Sequence, residues 1–161
     1  MYGSNTWFPN VTDIQKLENF QSRMSKWMIC KSGYKNRLTY LNLLPISLLY
    51  QLHDIILFNK LINELYTFDI WNFISLKYDT RLRSNLTPVF RASSNRLRKT
   101  DQSFFSRTTM VANYLQKRYK INLFDDVKSL RRSIYRVMFT YFTAEYDKHS
   151  CKRFVKCYCC L

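Results

Sequence analysis

A chain of 161 residues, 47% of them apolar, is long enough for one domain of ordinary size with a real core. Two glycines and three prolines are too few for an all-β fold or a linker-rich chain. Lys and Arg number 26 against 11 Asp and Glu, a formal net charge of +15 with a pI near 9.8, which points to a polyanionic partner. Nucleic acid is the first candidate and an anionic membrane surface its competitor. No run reaches the roughly 18–20 apolar residues that span a bilayer. The stretch from Met1 to Trp7 has neither the positive nor the apolar region of a secretory leader, so the expected setting is intracellular, nucleus or cytoplasm. There, five cysteines, four of them in the last eleven residues, read as thiols or metal ligands rather than disulfides.

Thr12 is an N-cap candidate, with Gln15 at the capping-box position. Ile14, Leu17, Phe20, Met24, Trp27 and Met28 then recur at helical spacing, which predicts an amphipathic helix with this stripe buried and Lys16, Arg23 and Lys26 mostly off it. Truncating a buried Trp27 would cost about 3–5 kcal/mol. Tyr34 to Leu43 supports a short second helix, and Pro45 suits the first turn of a third. From Ile46 to Leu65 the chain is apolar nearly all round, as in a helix central to a bundle. Its His53, Asp54, Lys60 and Glu64 are too many polar groups for lipid. Residues 67–106 are polar and arginine-rich, and read as a long basic irregular segment with short extended pieces near Leu86 to Phe90. Two helices follow, near Thr108 to Lys120 and Asp125 to Tyr146. In the last, Val127, Leu130, Ile134, Val137, Met138 and Tyr141 form the buried stripe, while Lys128, Arg131, Arg132 and Arg136 face solvent or phosphate. There is no internal repeat, and no heptad run long enough for a coiled coil.

The expected fold is therefore all-α, a small helical bundle with a long basic loop and a short Cys-rich C-terminal tail. It divides into helical residues 1–66, the basic segment 67–106, the C-terminal helices 107–146 and the tail 147–161.

Candidate nucleic-acid contacts are Arg81, Arg83, Arg91, Arg96, Arg98 and Lys99 in the basic segment, where neutral hydrogen-bonding residues such as Asn85 and Asn95 are interspersed, and Arg131, Arg132 and Arg136 on the last helix. Arginines among such residues suit phosphate and single-strand contacts. A solvated basic loop fits the same residues. In the tail, His149, Cys151, Cys157, Cys159 and Cys160 are candidate zinc ligands. Their spacing matches no standard finger or knuckle, so zinc and free thiols on a basic end both stay open. A prenylation box would need Cys where Tyr158 stands. Asp125 and Asp126 precede a helical stripe and read as helix-start acids rather than a metal-holding polymerase pair. His53 and Asp54, adjacent on one helix, cannot face one target, and there is no glycine-rich phosphate loop. No catalytic constellation is evident.

Tyr2-Gly3-Ser4, Trp7, Pro9, Leu17-Glu18, Gln21 and Arg23 resemble a run in the region downstream of the polymerase domain in LINE-type (non-LTR) retrotransposon reverse transcriptases, near the end of its thumb. Tyr34-Lys35, Arg37-Leu38, Leu41 and Leu43-Leu44-Pro45 are similar to the element that follows there. Phe104-Phe105, Arg107-Thr108, and a closing Tyr-rich helix with a Cys tail are similar to its end. Departures are Ala112-Asn113 and the absence of a proline after the Arg-Thr element, and Lys152-Arg153 after the first tail cysteine. The family's catalytic aspartates, palm and endonuclease are absent. The resemblance implies a non-catalytic fragment that holds template RNA or target DNA, with the parent polymerase domain as a second partner. A structural module that docks on that domain or self-associates is the alternative.

Overall fold

The computed structural model describes residues 11–30, 33–78, 88–92 and 103–144. Within them, five helices are joined by a small sheet: α1 (Val11–Met28), α2 (Tyr34–Tyr40), α3 (Ile46–Ile62), a 3₁₀ turn (Ile70–Asn72), β1 (Ile74–Tyr78), β2 (Pro88–Ala92), α4 (Phe104–Tyr119) and α5 (Val127–Ala144). The fold is mostly helical rather than all-α. No helix among the described residues is long and apolar enough to cross a membrane.

Helix α3 is the centre. Leu48, Leu52, Ile55, Phe58, Leu61 and Ile62 are buried along it, and α1, α4 and α5 all pack against it. The buried positions share one broad side of the helix, with His53 left exposed, and a polar group on that side is costly unless it finds a protein partner. Asp54 takes Arg107 of α4, whose Nε lies 2.6 Å from Oδ2 and whose Nη2 lies 3.3 Å from Oδ1. Both side chains are largely buried. Asn59 Nδ2 donates to the carbonyls of Leu123 (2.7 Å) and Asp125 (3.1 Å), holding the α4–α5 connection. Burial raises the Asp54 pKa, and Arg107's hydrogen bond and charge pull it back.

Pro45 begins α3 without a side-chain cap. The cap comes from α1 instead: Glu18 Oε1 accepts from the Ser47 backbone N–H at 3.0 Å and from its hydroxyl at 3.2 Å, placing a carboxylate at the positive end of the helix. Glu18 also accepts from the Tyr34 hydroxyl, which stands 2.6 Å from Gln21 Oε1. Gln21 Nε2 donates to the Leu44 carbonyl at 3.0 Å. The buried Arg37 guanidinium donates to Ser25 Oγ, Ser22 Oγ and the Ser22 carbonyl at 3.1–3.2 Å. These bonds fix α1 to α2 and α3 by its polar side.

This reverses the orientation expected for α1. Trp27 is 79% exposed, Met28 67% and Phe20 63%; Leu17 and Met24 are also exposed, while Ser25 is buried. The predicted buried stripe lies outside because Glu18, Gln21, Ser22 and Ser25 satisfy more polar groups facing inward than the apolar side chains could. The helix also starts at Val11, ahead of the expected cap at Thr12.

The segment after α3 is not irregular throughout. Ile74 pairs with Ala92, Leu76 with Phe90 and Tyr78 with Pro88, antiparallel. Phe90 is buried, its ring edge-on to Phe58 at 5.2 Å and 83°. The other edge of β2 is closed by a side chain: Asn113 Oδ1 accepts from the Phe90 N–H (2.9 Å), and Asn113 Nδ2 donates to the Phe90 carbonyl (2.8 Å). An amide so placed substitutes for a third strand. The buried apolar residues from Leu38 to Phe142 form one cluster. With so few glycines, ordinary residues turn the corners: Asn42, Glu64 and Lys120 take positive φ of 52–56° just past α2, α3 and α4, where glycine is usual.

These packings set two expectations. Trp27→Ala should change stability by less than about 0.5 kcal/mol, as for most surface substitutions, whereas Phe58→Ala should cost about 3–5 kcal/mol; denaturant melts of the two variants compare them. Arg107→Met leaves Asp54 buried without its cation and should cost about 3–5 kcal/mol, while Asp54→Leu with Arg107→Met should cost distinctly less. The same melts read both.

Candidate nucleic-acid interface

Helix α5 carries two stripes. Leu130, Ile134, Met138, Tyr141 and Phe142 are buried. Asp126 starts the helix, its Oδ2 accepting from the backbone N–H groups of Lys128 (3.0 Å) and Ser129 (3.4 Å). Asp125 accepts from the Asn122 side chain at 2.8 Å. The acid pair therefore begins the helix, as its position in the sequence suggests.

The second stripe is Lys128, Arg131, Arg132, Tyr135, Arg136 and Phe139, spaced to fall on one helical flank. With Asn42 from the α2–α3 turn these residues line a groove of ≈ 530 Å³. The Tyr135 hydroxyl donates to the Asn42 carbonyl at 2.5 Å, tying the two walls together. The Tyr135 and Phe139 rings lie nearly parallel, 6.2 Å between centroids and 11° apart. Burial raises the Tyr135 pKa. Among the described residues, four cations and two aromatic rings line the groove, and no carboxylate does. Such a surface can neutralise phosphates while offering ring faces to bases.

His53, on α3, feels the same field. Its pKa is lowered, first by partial burial and then by the positive charge of Arg131. The adjacent Asp54 is engaged by Arg107 instead.

The sequence-derived candidates thus divide. Arg131, Arg132 and Arg136 come together in the groove. Arg91 is exposed on β2, opposite Ser75 in the ladder, and is not among the groove residues. Arg81, Arg83, Arg96, Arg98 and Lys99 lie outside the described residues, as do His149, Cys151, Cys157, Cys159 and Cys160. Among the described residues no group of three or more His, Cys, Asp or Glu could hold a metal ion. Cys30 is exposed as a free thiol. Sequence reasoning missed Asn42, Tyr135 and Phe139. The spacing of Tyr135 and Phe139 among the cations was a readable signal, whereas the approach of Asn42 depends on tertiary packing. Searches found no family model, no curated protein and no solved structure that matches this chain.

The lowered His53 pKa makes a pH prediction. Below the ordinary value of 6.5 the unfolded chain takes up a proton that the folded chain resists, so this group's contribution to stability falls as pH drops through that value. Stability measured from pH 8 to pH 5 should decline less steeply in His53→Gln. In an NMR titration the His53 pKa should rise when a polyanion fills the groove and offsets the Arg131 charge.

Proposed function

We propose that this chain is a non-catalytic nucleic-acid-binding module, and that the groove along α5 is its contact surface for RNA or DNA. The observation that carries this reading is the convergence of Lys128, Arg131, Arg132 and Arg136 around the Tyr135–Phe139 ring pair, with no carboxylate among the described residues that line it. The resemblance to the region downstream of a LINE-type polymerase domain agrees with it. Within such an enzyme the module would hold template RNA or target DNA near a catalytic centre supplied by other residues. Arg91 and the basic residues at positions 81, 83, 96, 98 and 99 would extend the contact, and the cysteine tail would add zinc if it binds metal. A second reading rests on the exposed apolar face of α1: an interaction module that docks on a polymerase domain or self-associates.

Oligonucleotide binding measured over a range of salt tests the first reading. Affinity should be largely independent of sequence and fall as salt rises. Arg131→Ala, Arg132→Ala and Arg136→Ala together should weaken binding and flatten the logarithmic salt slope by about 0.7–0.9 for each phosphate that is no longer neutralised. Unchanged affinity and slope in a folded triple variant would rule out the groove.

A further inference from the structure

The outward side of α1 has an order that the bundle does not use. Leu17, Phe20, Met24 and Trp27 are exposed and spaced three, four and three apart, the a, d, a, d pattern of a helix–helix seam. In this register Met28 and Gln21 take the e positions, and Lys16 and Arg23 take the g positions. The next d position toward the N-terminus is Asp13, which ends the apolar run. The basic residues thus line the seam on one edge. Of the acids of the helix, Glu18 is committed to the start of α3, and Asp13 stands at the far end of the seam, 3.6 Å from Lys16 across an exposed turn. Ser22 and Ser25, away from the seam, hold α1 to α2 through Arg37, and Gln21 at one edge bonds the Leu44 carbonyl before α3, so the seam is presented on a fixed support.

A second copy complements this edge poorly. Antiparallel pairing sets g against g, basic against basic. Parallel pairing sets Lys16 and Arg23 against Gln21 and Met28, without an opposite charge. Two chains of +15 also repel at long range. A single line of cations at g is a device for choosing a partner helix by charge.

We propose that the outer face of α1 is a docking seam for a partner helix that is apolar at its a and d positions and acidic along the edge facing Lys16 and Arg23. This gives the interaction reading above a defined chemistry, and it does not depend on the α5 groove.

The test uses the full chain and three fluorescein-labelled, three-heptad peptides: one with Leu at a and d and Glu along the flanking positions, one with Lys in place of Glu, and one scrambled acidic peptide of the same composition. Anisotropy should show the acidic amphipathic peptide binding at least tenfold more tightly than the scrambled one. Trp27→Ala should remove at least tenfold of that affinity. Lys16→Glu with Arg23→Glu should transfer the preference to the Lys peptide, although the chain remains strongly basic, which non-specific attraction to a cationic protein cannot produce. Equal binding of the acidic and scrambled peptides, or binding indifferent to Trp27→Ala, overturns the proposal. So does a Trp27-dependent dimer in sedimentation, or Trp27-dependent binding to phosphatidylserine vesicles with no peptide binding. Oligonucleotide affinity measured on Trp27→Ala, which alters no charge, should stay unchanged, so failure of the seam is distinguishable from failure of the groove.

Discussion

Everything in this fold answers to the burial of α3. Packed against α1, α4 and α5, this helix gains apolar contact along its whole length, about 25 cal/mol for each Å² of apolar surface removed from water. It also carries polar groups that water can no longer reach. Asp54 is met by Arg107, Asn59 by the carbonyls of Leu123 and Asp125, and the Ser47 N–H by Glu18. Each partner comes from a different part of the chain: α4, the α4–α5 connection and α1. The polar demands of one apolar helix thus set the positions of its neighbours. Once the connection after α4 is held, α5 meets α3 with its Leu130–Phe142 stripe, and its basic flank is left to face the α2–α3 turn. The groove is a consequence of that order.

The residues on which the proposed likeness to LINE-type enzymes rests are, where described, mainly structural. Glu18, Gln21, Tyr34 and Arg37 form the corner that joins α1, α2 and α3, and Leu38 and Leu44 are core residues. Phe105 stacks on Phe73, 4.9 Å between centroids, and Arg107 pairs with Asp54. The Thr108 hydroxyl donates to the Phe104 carbonyl at 2.6 Å. A motif of this kind specifies how the helices are joined. The proposed binding rests on other positions, those of the second stripe of α5, so joining and binding are carried by separate sets of residues.

Much of the architecture was legible in the sequence. The all-round apolar run predicts α3 as the central helix, the stripe at Leu130, Ile134 and Met138 predicts the buried side of α5, and Asp126 reads correctly as a helix-start acid. The α1 stripe misled because hydrophobic periodicity tells which residues share a face and not which face meets the core; here the polar face meets it, through Glu18, Gln21 and Ser25. The sheet was partly visible. Ile74-Ser75-Leu76-Lys77-Tyr78 alternates with the period of a strand, but the polar surroundings and the absence of a glycine turn concealed the hairpin-like pairing, and its support by Asn113 is a long-range contact that no local pattern reveals. The groove was half visible, its cations on one helix and its Asn42 wall in the α2–α3 turn.

The central claim is that this module meets nucleic acid along α5, between the ring pair and the α2–α3 turn. The most direct measurement is a backbone amide chemical-shift titration of the ¹⁵N-labelled chain with a short single-stranded oligonucleotide, supported by UV crosslinking to locate the touching residue. The account predicts shifts concentrated at Asn42, His53 and residues from Lys128 to Phe139, with crosslinks at Tyr135 or Phe139. Shifts confined to β2 around Arg91, or scattered over the surface with no crosslink on α5, would contradict it.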